Sequence, residues 1–487
     1  MSTRQKLRQY FRSMIVLKNP QRSQSFSALS IPSYMRDWLV MRYAGEDGQF
    51  NMEDILGFMT ERLPQRDQWP AILHRLVHEH TEVTILAKVQ TQIDVTNQET
   101  YFSLPDYSFP TRKAEAIIDN YVLKKHGEKA LAKAVDIWGV VTMECRADNS
   151  GKNRVYMVDY DEFCPYDIDL NYYRSARSHF SVEEWLDVVL SAVDLNPDGY
   201  VTLRQKLATL SRLLPFVEKR INLIELAPKG TGKSYVYSRI SKYGWLASGS
   251  MTRAKLFYNI AAKQDGLLAR CDYVAFDEIS SFQFSDEAEM QASLKGYLES
   301  GEYKVGSYAG VADAGLILLG NIDQDCMDEE IDMFDTLPGM FHSDSALLDR
   351  FHGFIKGWDI PRMRDDMIAN DWALNVEYFS EIMHALRNEA SYRAIVEDLI
   401  DVPKGSDVRD TEAVKRIATG FMKLIFPNAM YANDLPREDF YKYCFLPAYE
   451  MRGTMKKQMG IIDKEFRHKG MPELKVVDYE KSTSETM

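Results

Sequence analysis

The spacing of apolar and polar residues divides the 487-residue chain into three regions. The first, residues 1–175, mixes helical and strand-like spacing, which predicts a small α+β domain with a β-barrel or sheet element. Its predicted helices cover 34–44 and 69–80, and its predicted strands cover 83–95, 136–146 and 154–159.

From residue 176 to about 365, apolar strands alternate with helices, which is typical of an α/β fold. The third region, after that point, has helical spacing throughout. Helices are predicted at 182–193, 203–217, 376–386 and 411–425.

The clearest chemical motif is NLIELAPKGTGKSY at residues 222–235, in which an apolar run precedes a glycine-containing loop. This order predicts a buried strand, a P-loop and the start of a helix. In such loops backbone amides face phosphates, the lysine reaches the β- and γ-phosphates, and the serine hydroxyl binds Mg²⁺. Ala227 replaces the usual first glycine. The predicted ATP-binding residues are Lys229, Gly230, Thr231, Gly232, Lys233 and Ser234.

Two further apolar runs, YVAF and LILLG, end in polar residues. Because parallel strands bind ligands at their carboxyl ends, we expect these residues to lie near the P-loop. Asp277 would share Mg²⁺ with Ser234, and Glu278 would orient and deprotonate the attacking water. Asn321 would bond the γ-phosphate or that water, although an Asx-turn at a strand end would also explain it.

Cations beyond the third strand are candidates for contacts with the γ-phosphate. Arg350 could be an arginine finger supplied by a neighbouring subunit, or it could form a surface ion pair with an acid such as Asp349. Arg409, Lys415 and Arg416 cluster at the start of a predicted helix, and we favour Lys415 or Arg416 as the sensor-2 residue. The order of all these motifs predicts an AAA+ module, and an arginine acting in trans predicts a ring.

The net charge of −13 argues against nucleic-acid binding over the whole surface. Residues 1–36, however, contain seven Lys or Arg and no Asp or Glu. Arg4, Arg8 and Arg12 recur every four residues opposite apolar side chains, which predicts an amphipathic helix. That helix could dock on its own domain or act as a nucleic-acid-contacting arm.

The five cysteines form no CxxC pair, which suggests a reducing compartment. Apolar runs long enough for a membrane span or a signal peptide are not found, so we predict a cytoplasmic protein. Asp194, Asn196 and Asp198 match the start of a calcium loop, but Gln205 stands where a bidentate carboxylate is needed. A polar turn between helices is the preferred interpretation.

Between the motifs, the sequence resembles the BrxL family, Lon-related AAA+ proteins of BREX phage-defence systems. The resemblance runs from about residue 7 to about residue 466, and GWDIPRM and LFYNIA are its most specific parts. The other segments that carry it are ELAPKGTGKSYVY, SGSMTRAKLFYNIA, YVAFDEIS, LLGNID, DRFHGFIKGWDIPRM, AVKRIATGFMKLIFP and ARSHFSVEEWLDVVL. It implies an ATP-driven hexameric ring, or paired rings, similar to MCM-type helicases, that engages DNA and helps to block phage replication.

The resemblance also implies a hairpin that enters the ring pore, at residues 301–308. Lys304 would contact DNA there, with Tyr303 and Tyr308 as stacking candidates. The alternative is a structural hairpin whose aromatic rings pack against the core. Typical members continue into a Lon-protease-like domain, whereas this chain stops soon after Phe466 and no Ser-Lys dyad can be assigned. We therefore expect an ATPase that is not a protease.

The sequence thus predicts an α/β protein with an N-terminal α+β domain (1–175) that could bind DNA. An AAA+ P-loop core (176–365) and a helical lid with C-terminal helices (366–487) follow. The expected cofactors are ATP and Mg²⁺. The expected partners are double-stranded DNA, further copies in a hexamer or paired hexamers, and a separate defence effector, with no membrane. One alternative is a Lon-like protein unfoldase working with a separate protease or effector, and another is a nucleotide-dependent switch.

Overall fold

The computed structural model describes residues 1–18, 31–45, 50–131, 137–148, 150–162 and 168–479. The chain divides into two compact units, Leu29–Asp167 and a larger one that combines Met1–Ala28 with Ile168–Met487. The first residues of the chain therefore belong with the ATPase region of the sequence prediction, and not with the N-terminal domain. Within the described ranges, no helix is both long and apolar enough to cross a membrane.

The α-helices vary from single turns to five turns. They are α1 (Thr3–Tyr10), α2 (Ser33–Tyr43), α3 (Met52–Arg62), α4 (Trp69–His78), α5 (Asn120–Leu131), α6 (Leu170–Arg177), α7 (Val182–Ala192), α8 (Leu203–Leu210), α9 (Leu214–Val217), α10 (Lys233–Arg239), α11 (Arg253–Leu256), α12 (Leu267–Arg270), α13 (Glu287–Ser300), α14 (Gly339–His342), α15 (Ser345–Leu348), α16 (Val376–Leu386), α17 (Ser391–Leu399), α18 (Val408–Ile425), α19 (Arg437–Phe440) and α20 (Leu446–Ile462).

The strands form a barrel, one five-stranded sheet and several short pairs. They are β1 (Ile15–Leu17), β2 (Val83–Asp94), β3 (Glu99–Ser103), β4 (Ala116–Ile118), β5 (Ile137–Ala147), β6 (Asn153–Glu162), β7 (Leu223–Ala227), β8 (Gly244–Ala247), β9 (Ser250–Met251), β10 (Tyr258–Asn259), β11 (Gln264–Asp265), β12 (Tyr273–Phe276), β13 (Gln283–Phe284), β14 (Glu302–Val305), β15 (Tyr308–Val311), β16 (Gly315–Asn321), β17 (Gly353–Lys356), β18 (Trp372–Leu374), β19 (Ile400–Asp401) and β20 (Lys475–Val476).

The smaller unit is built around a closed barrel with the strand order β2-β3-β4-β6-β5. The long strand β2 pairs with β5 through its first half and with β3 through its second half. Strands β4 and β6 are parallel and the other neighbours are antiparallel. This order of five strands is that of the OB fold.

The barrel core follows from the alternation that predicted strand β2. Val83, Ile85, Ala87 and Val89 are buried on one face of β2, as expected for a strand with one face toward a core. Helix α4 contributes Trp69 to the same cluster. The predicted barrel element is therefore present in this unit.

The larger unit contains a parallel sheet with the strand order β17-β7-β16-β12-β8. Numbered along the chain, these five strands have the order 5-1-4-3-2. Strands β7 and β12 are buried along their whole length. This accounts for their continuous apolar character, because both faces of such a sheet are covered.

The helix predicted at 203–217 is interrupted. Helix α8 ends at Leu210, a 3₁₀ turn spans Ser211–Leu213, and α9 begins at Leu214. Pro215 explains the break, because it has no N–H with which to bond the carbonyl of residue 211. The break places Arg212 in the turn, where it is buried.

The N-terminal helix packs against other elements of the larger unit, and its role as a nucleic-acid-contacting arm stays a prediction. Leu7 and Phe11 are buried, and the Phe11 ring packs 6.2 Å from that of Trp185. Strand β1 then pairs antiparallel with β18. On the other face of the helix, Arg4 lies 3.5 Å from a carboxylate oxygen of Asp371, and the Arg8 guanidinium lies 5.1 Å from the centroid of a tryptophan ring.

The calcium-like segment is a helix end held by side chains. The carboxylate of Asp194 accepts hydrogen bonds from the Lys18 ammonium (2.7 Å) and from the Tyr235 hydroxyl (2.6 Å). In the part of the chain that the structure describes, no group of three or more His, Cys, Asp or Glu side chains could hold a metal ion. The segment forms the connection between α7 and α8, with a 3₁₀ turn at Pro197–Gly199.

Candidate functional site

Three strand ends lie side by side at the carboxyl edge of the parallel sheet. Asn321, the last residue of β16, pairs in register with Ala227, the last residue of β7. Strand β12 is the other neighbour of β16 and leads directly into Asp277. The register therefore brings together the polar groups that the sequence places at these ends, in the position where α/β proteins bind ligands.

The loop after β7 has an open, glycine-dependent conformation. Gly230 and Gly232 have φ angles of +82° and +78°, in the left-handed region that other residues rarely adopt. A Cβ added to Gly230 would meet no atom within 4 Å, and both Lys229 and Gly230 are exposed. Gly232 is the N-cap of α10, so that the loop leads straight into a helix N-terminus.

Lys233 extends along the strand ends. Its ammonium donates to Asn321 Oδ1 at 3.0 Å and to the carbonyl oxygen of Ala227 at 3.3 Å. Burial lowers the pKa of Lys233 from its ordinary value, while the nearby carboxylates of Glu225 and Asp277 act in the opposite direction. The structure thus places a cation beside an amide in the site that both were predicted to share.

A second pair of contacting side chains, Ser234 and Asp277, follows the pair formed by Lys233 and Asn321. The Ser234 hydroxyl donates to Asp277 Oδ2 at 2.7 Å, so the two predicted Mg²⁺ ligands are in direct contact. The backbone N–H of Glu278 donates to Asp277 Oδ1 at 3.0 Å, and Glu278 has a φ of +50°. This left-handed residue turns the chain at the strand end and leaves the Glu278 side chain exposed.

The absence of the usual first glycine is explained by a neighbouring strand. Strand β17 pairs with β7 and continues into Gly357, where an added Cβ would lie 2.0 Å from the Cβ of Ala227. Because Gly357 has no side chain, it leaves the space that the methyl group of Ala227 occupies. Farther along, the Met363 N–H donates to the carbonyl oxygen of Gly230 at 2.8 Å, which ties this segment to the loop.

The arginine and lysine residues predicted to contact the γ-phosphate from outside the strand ends bond to other groups of the chain. Arg350 Nε is 2.8 Å from a Glu299 carboxylate oxygen. Lys415 forms an ion pair with Glu397 of α17, and Arg416 donates to a backbone carbonyl at 2.8 Å. These side chains therefore bond within their own helical surroundings in the single chain, and their phosphate-contacting roles stay predictions.

The hairpin predicted to enter a pore is paired with another hairpin. Strands β14 and β15 form one, β10 and β11 form the other, and the Tyr308 and Tyr258 rings stack with centroids 3.6 Å apart. Tyr303 is only 4% exposed and packs against core rings, so the stacking role predicted for Tyr303 is wrong. Lys304 and Lys263 are exposed on the two hairpins.

Sequence reasoning missed a buried ion pair beneath the loop. Arg212 Nη2 lies 2.5 Å from Glu225 Oε1, and the Arg212 Nη1 donates to the carbonyl oxygen of Thr231 at 2.7 Å. The signal was present in the sequence, because Glu225 interrupts an otherwise apolar strand. A carboxylate buried at such a position requires a cation as partner.

These features define a mixed α/β protein whose polar residues meet at the carboxyl edge of a parallel sheet. Residues 155–471 match the family described as "Lon-like protease BrxL-like, ATPase domain", and residues 9–145 match "BREX system Lon protease-like protein BrxL N-terminal". The chain belongs to the BrxL family, as its resemblance implied.

Two relatives share this similarity along most of the chain. The Lon-like protease BrxL of Escherichia coli O9:H4 (strain HS) is 28% identical over 462 residues, which cover 93% of this chain and 64% of the relative. The Lon-like protease BrxL of Bacillus cereus (strain H3081.97) is 28% identical over 467 residues, which cover 94% and 67%. The chain thus spans about two thirds of the length of these relatives.

Proposed function

We propose that the chain is an AAA+ ATPase that assembles as a ring and engages double-stranded DNA in defence against phage. The observation that carries the ATPase assignment is the contact of Lys233 with Asn321 and of Ser234 with Asp277 at one sheet edge. The match to an ATPase-domain family supports it. The strand order 5-1-4-3-2 favours the AAA+ class, in which the P-loop strand lies second from an edge.

The residues present fit a nucleotide with Mg²⁺. The open glycine loop offers backbone amides, Lys233 would hold the β- and γ-phosphates, and the Ser234 and Asp277 oxygens are the hard ligands that Mg²⁺ prefers. When bound, Mg²⁺ neutralises charge on the phosphates. Glu278 would orient the attacking water and accept its proton, and the amide of Asn321 would position the water or the γ-phosphate.

The ring is proposed from the position of Arg350. This arginine is held by Glu299, and a role as arginine finger requires that it reach the site of a neighbouring copy. Six or twelve copies in one or two rings would give each site its arginine. Sensor-2 action by Lys415 would require that it leave its partner Glu397.

The DNA-binding part of the proposal is supported by two features. The paired hairpins present Lys263 and Lys304, and a ring would repeat these two charges in every subunit. The barrel has the strand order of the OB fold, which commonly binds oligonucleotides. A defence effector as partner is proposed from the family alone.

One observation favours the second candidate, a protein unfoldase. Ile260, between β10 and β11, is 55% exposed. An added Cβ at Gly306 would lie 3.0 Å from its Cδ1 atom, so this apolar group belongs to the same paired hairpins. An apolar tip beside a tyrosine suits an unfolded polypeptide better than a phosphate backbone.

The test is ATP hydrolysis by the purified protein alone, with duplex DNA and with an unfolded protein, and with Glu278→Gln as the inactive control. Stimulation by duplex DNA that is lost in a Lys263→Ala, Lys304→Ala double variant supports the proposal. Lys404→Ala, at another exposed lysine, is the matched control. Stimulation by unfolded protein alone would favour the unfoldase, and the absence of hydrolysis would contradict both.

A further inference from the structure

The ion pair beneath the P-loop is one of the most deeply buried charged groups of the larger unit. The side chains of Arg212 and Glu225 are 2% and 0% exposed. Arg212 Nε lies 3.1 Å from each Glu225 carboxylate oxygen, and Nη2 lies 2.5 Å from one of them. The contact is therefore a fork against a carboxylate, the geometry that arginine can form and lysine cannot.

The remaining donors of Arg212 are directed at the loop. Nη1 donates to the Thr231 carbonyl oxygen at 2.7 Å, and Nη2 lies 3.1 Å from the Thr231 hydroxyl oxygen. Thr231 stands between Gly230 and Gly232, which both have left-handed backbones. Its carbonyl and hydroxyl are thus fixed at the centre of the loop by one guanidinium.

Burying a charged pair in a sheet seldom stabilises a fold better than an apolar pair of similar volume would. A buried pair in such a position is useful if it selects one conformation of a neighbouring segment. That segment is the P-loop, because the left-handed glycines Gly230 and Gly232 leave it many alternative conformations in the absence of a ligand.

We infer that Arg212, held in place by Glu225, is a positioning residue that fixes Thr231 and keeps the P-loop in its nucleotide-accepting conformation before nucleotide binds. The inference rests on the proposed ATPase function. It adds a residue outside the motif, in the 3₁₀ turn between α8 and α9, to those that determine nucleotide affinity.

Arg212→Lys is the test, because lysine keeps the charge that Glu225 needs but lacks the fork that also reaches Thr231. We expect affinity for a fluorescent ATP analogue to fall about tenfold, the effect of losing a charge-assisted hydrogen bond. At saturating ATP, kcat should stay within about twofold, because bound nucleotide imposes the same loop conformation. Without nucleotide, amide hydrogen exchange of residues 229–233 should become faster in this variant.

Arg177→Lys is the matched control. Arg177 is 3% exposed and donates to the backbone carbonyls of Ile425 and Phe180, at 2.9 and 2.8 Å, away from the loop. We expect it to lower the unfolding temperature without changing ATP affinity or the amide hydrogen exchange of residues 229–233. A purely structural role of Arg212 would give the same result as this control.

If Arg212→Lys does not fold, Thr231→Val and Thr231→Ser address the same question. Valine removes the hydroxyl that Arg212 contacts and should weaken binding a few-fold, whereas serine keeps it and should bind as wild type. A folded Arg212→Lys with wild-type affinity and loop exchange would overturn the inference while leaving the ATPase proposal intact. A wild-type protein that binds no ATP analogue would overturn the ATPase proposal itself.

Discussion

Two charged regions of the larger unit differ in how their side chains are used. At the sheet edge, Lys233 and Ser234 contact an amide and a carboxylate, and Glu278 is exposed. The second region, which we call the helix network, consists of ion pairs among helices and the segments next to them. Its members are Glu299, Asp349, Arg350, Arg409, Asp410, Arg452 and Lys456.

In the helix network, carboxylates are shared between cations. Glu299 lies 2.8 Å from Arg350 Nε and 2.9 Å from Arg409 Nη2, while Arg452 lies between Asp349 and Asp410 at 2.6 and 2.7 Å. The polar groups of the strand edge lie where α/β proteins bind ligands, whereas those of the helix network join α13, α18 and α20. The first arrangement suits binding, and the second holds elements of the fold together.

The largest effect is expected from breaking the helix network at its buried centre. Arg452 is 1% exposed, and Arg452→Met would leave two buried carboxylates without this cation. We expect a loss of about 3–5 kcal/mol in the free energy of unfolding, measured by urea denaturation. Arg364→Ala, which breaks an exposed pair with Asp366, should cost far less, because water and salt screen an exposed ion pair. Equal losses of unfolding free energy in the two variants would contradict the explanation that burial makes the Arg452 ion pairs costlier to break than the Arg364 pair.

The second prediction compares the ATP affinity of two variants, one at a lysine of the strand edge and one at a lysine of helix α18. Lys233→Ala should reduce ATP affinity at least ~100-fold, because it removes the predicted phosphate cation. Lys415→Met should change the affinity less than about threefold, since Lys415 pairs with Glu397. Titration with a fluorescent ATP analogue measures both. A loss with Lys415→Met as large as with Lys233→Ala would place the helix residue in a nucleotide site.

A third prediction concerns the glycine and the alanine that face each other where β7 lies beside the segment after β17. Gly357→Ala should cost about 1–3 kcal/mol, because the new methyl group would overlap that of Ala227. Adding Ala227→Gly should recover only part of that loss, because it removes the Cβ atom at 2.0 Å but leaves the Cα atom of residue 227 at 2.6 Å and the carbonyl oxygen of Leu226 at 2.7 Å from the new methyl group. Thermal unfolding of the two single variants and the double variant measures the coupling. Additive losses would contradict the explanation given for Ala227.

The sequence was sufficient for the strand-edge residues for a physical reason. Lys233, Asp277 and Asn321 follow apolar strands, and parallel pairing brings such ends to one edge whatever the rest of the fold does. Partners in the helix network depend on how separate helices pack, which periodicity does not specify. Arg350 and Lys415 could therefore be named as candidates, but their actual contacts could not be predicted.

The same limit applied to aromatic and buried polar groups. The hairpin pattern around Tyr303 was correct, but the burial of its ring against Phe257 depends on a segment more than forty residues earlier in the chain. Arg212 was assigned to a continuous helix, so its position in a turn beneath the loop was not foreseen. In both cases the local pattern was informative and the tertiary partner was not.

The smallest effect is expected at a histidine near the amino ends of β7 and β17. His352 precedes β17, and its Nδ1 accepts a hydrogen bond of 3.0 Å from the N–H of Asn222, which precedes β7. Burial, followed by the charges of Arg416 and Arg452, holds the pKa of His352 well below its ordinary value. His352 is therefore neutral in the folded protein at a pH where the unfolded chain is protonated.

Because the unfolded state binds the extra proton, stability should fall as the pH drops below about 6.5 and should not change through this group above that pH. His352→Asn keeps an acceptor near the Asn222 N–H but cannot be protonated. Between about pH 7 and about pH 5.5, the wild type should therefore lose about 1 kcal/mol more than the variant. Urea denaturation at both pH values measures the difference. Parallel losses in the two proteins would mean that His352 is protonated as readily in the fold as in the unfolded chain.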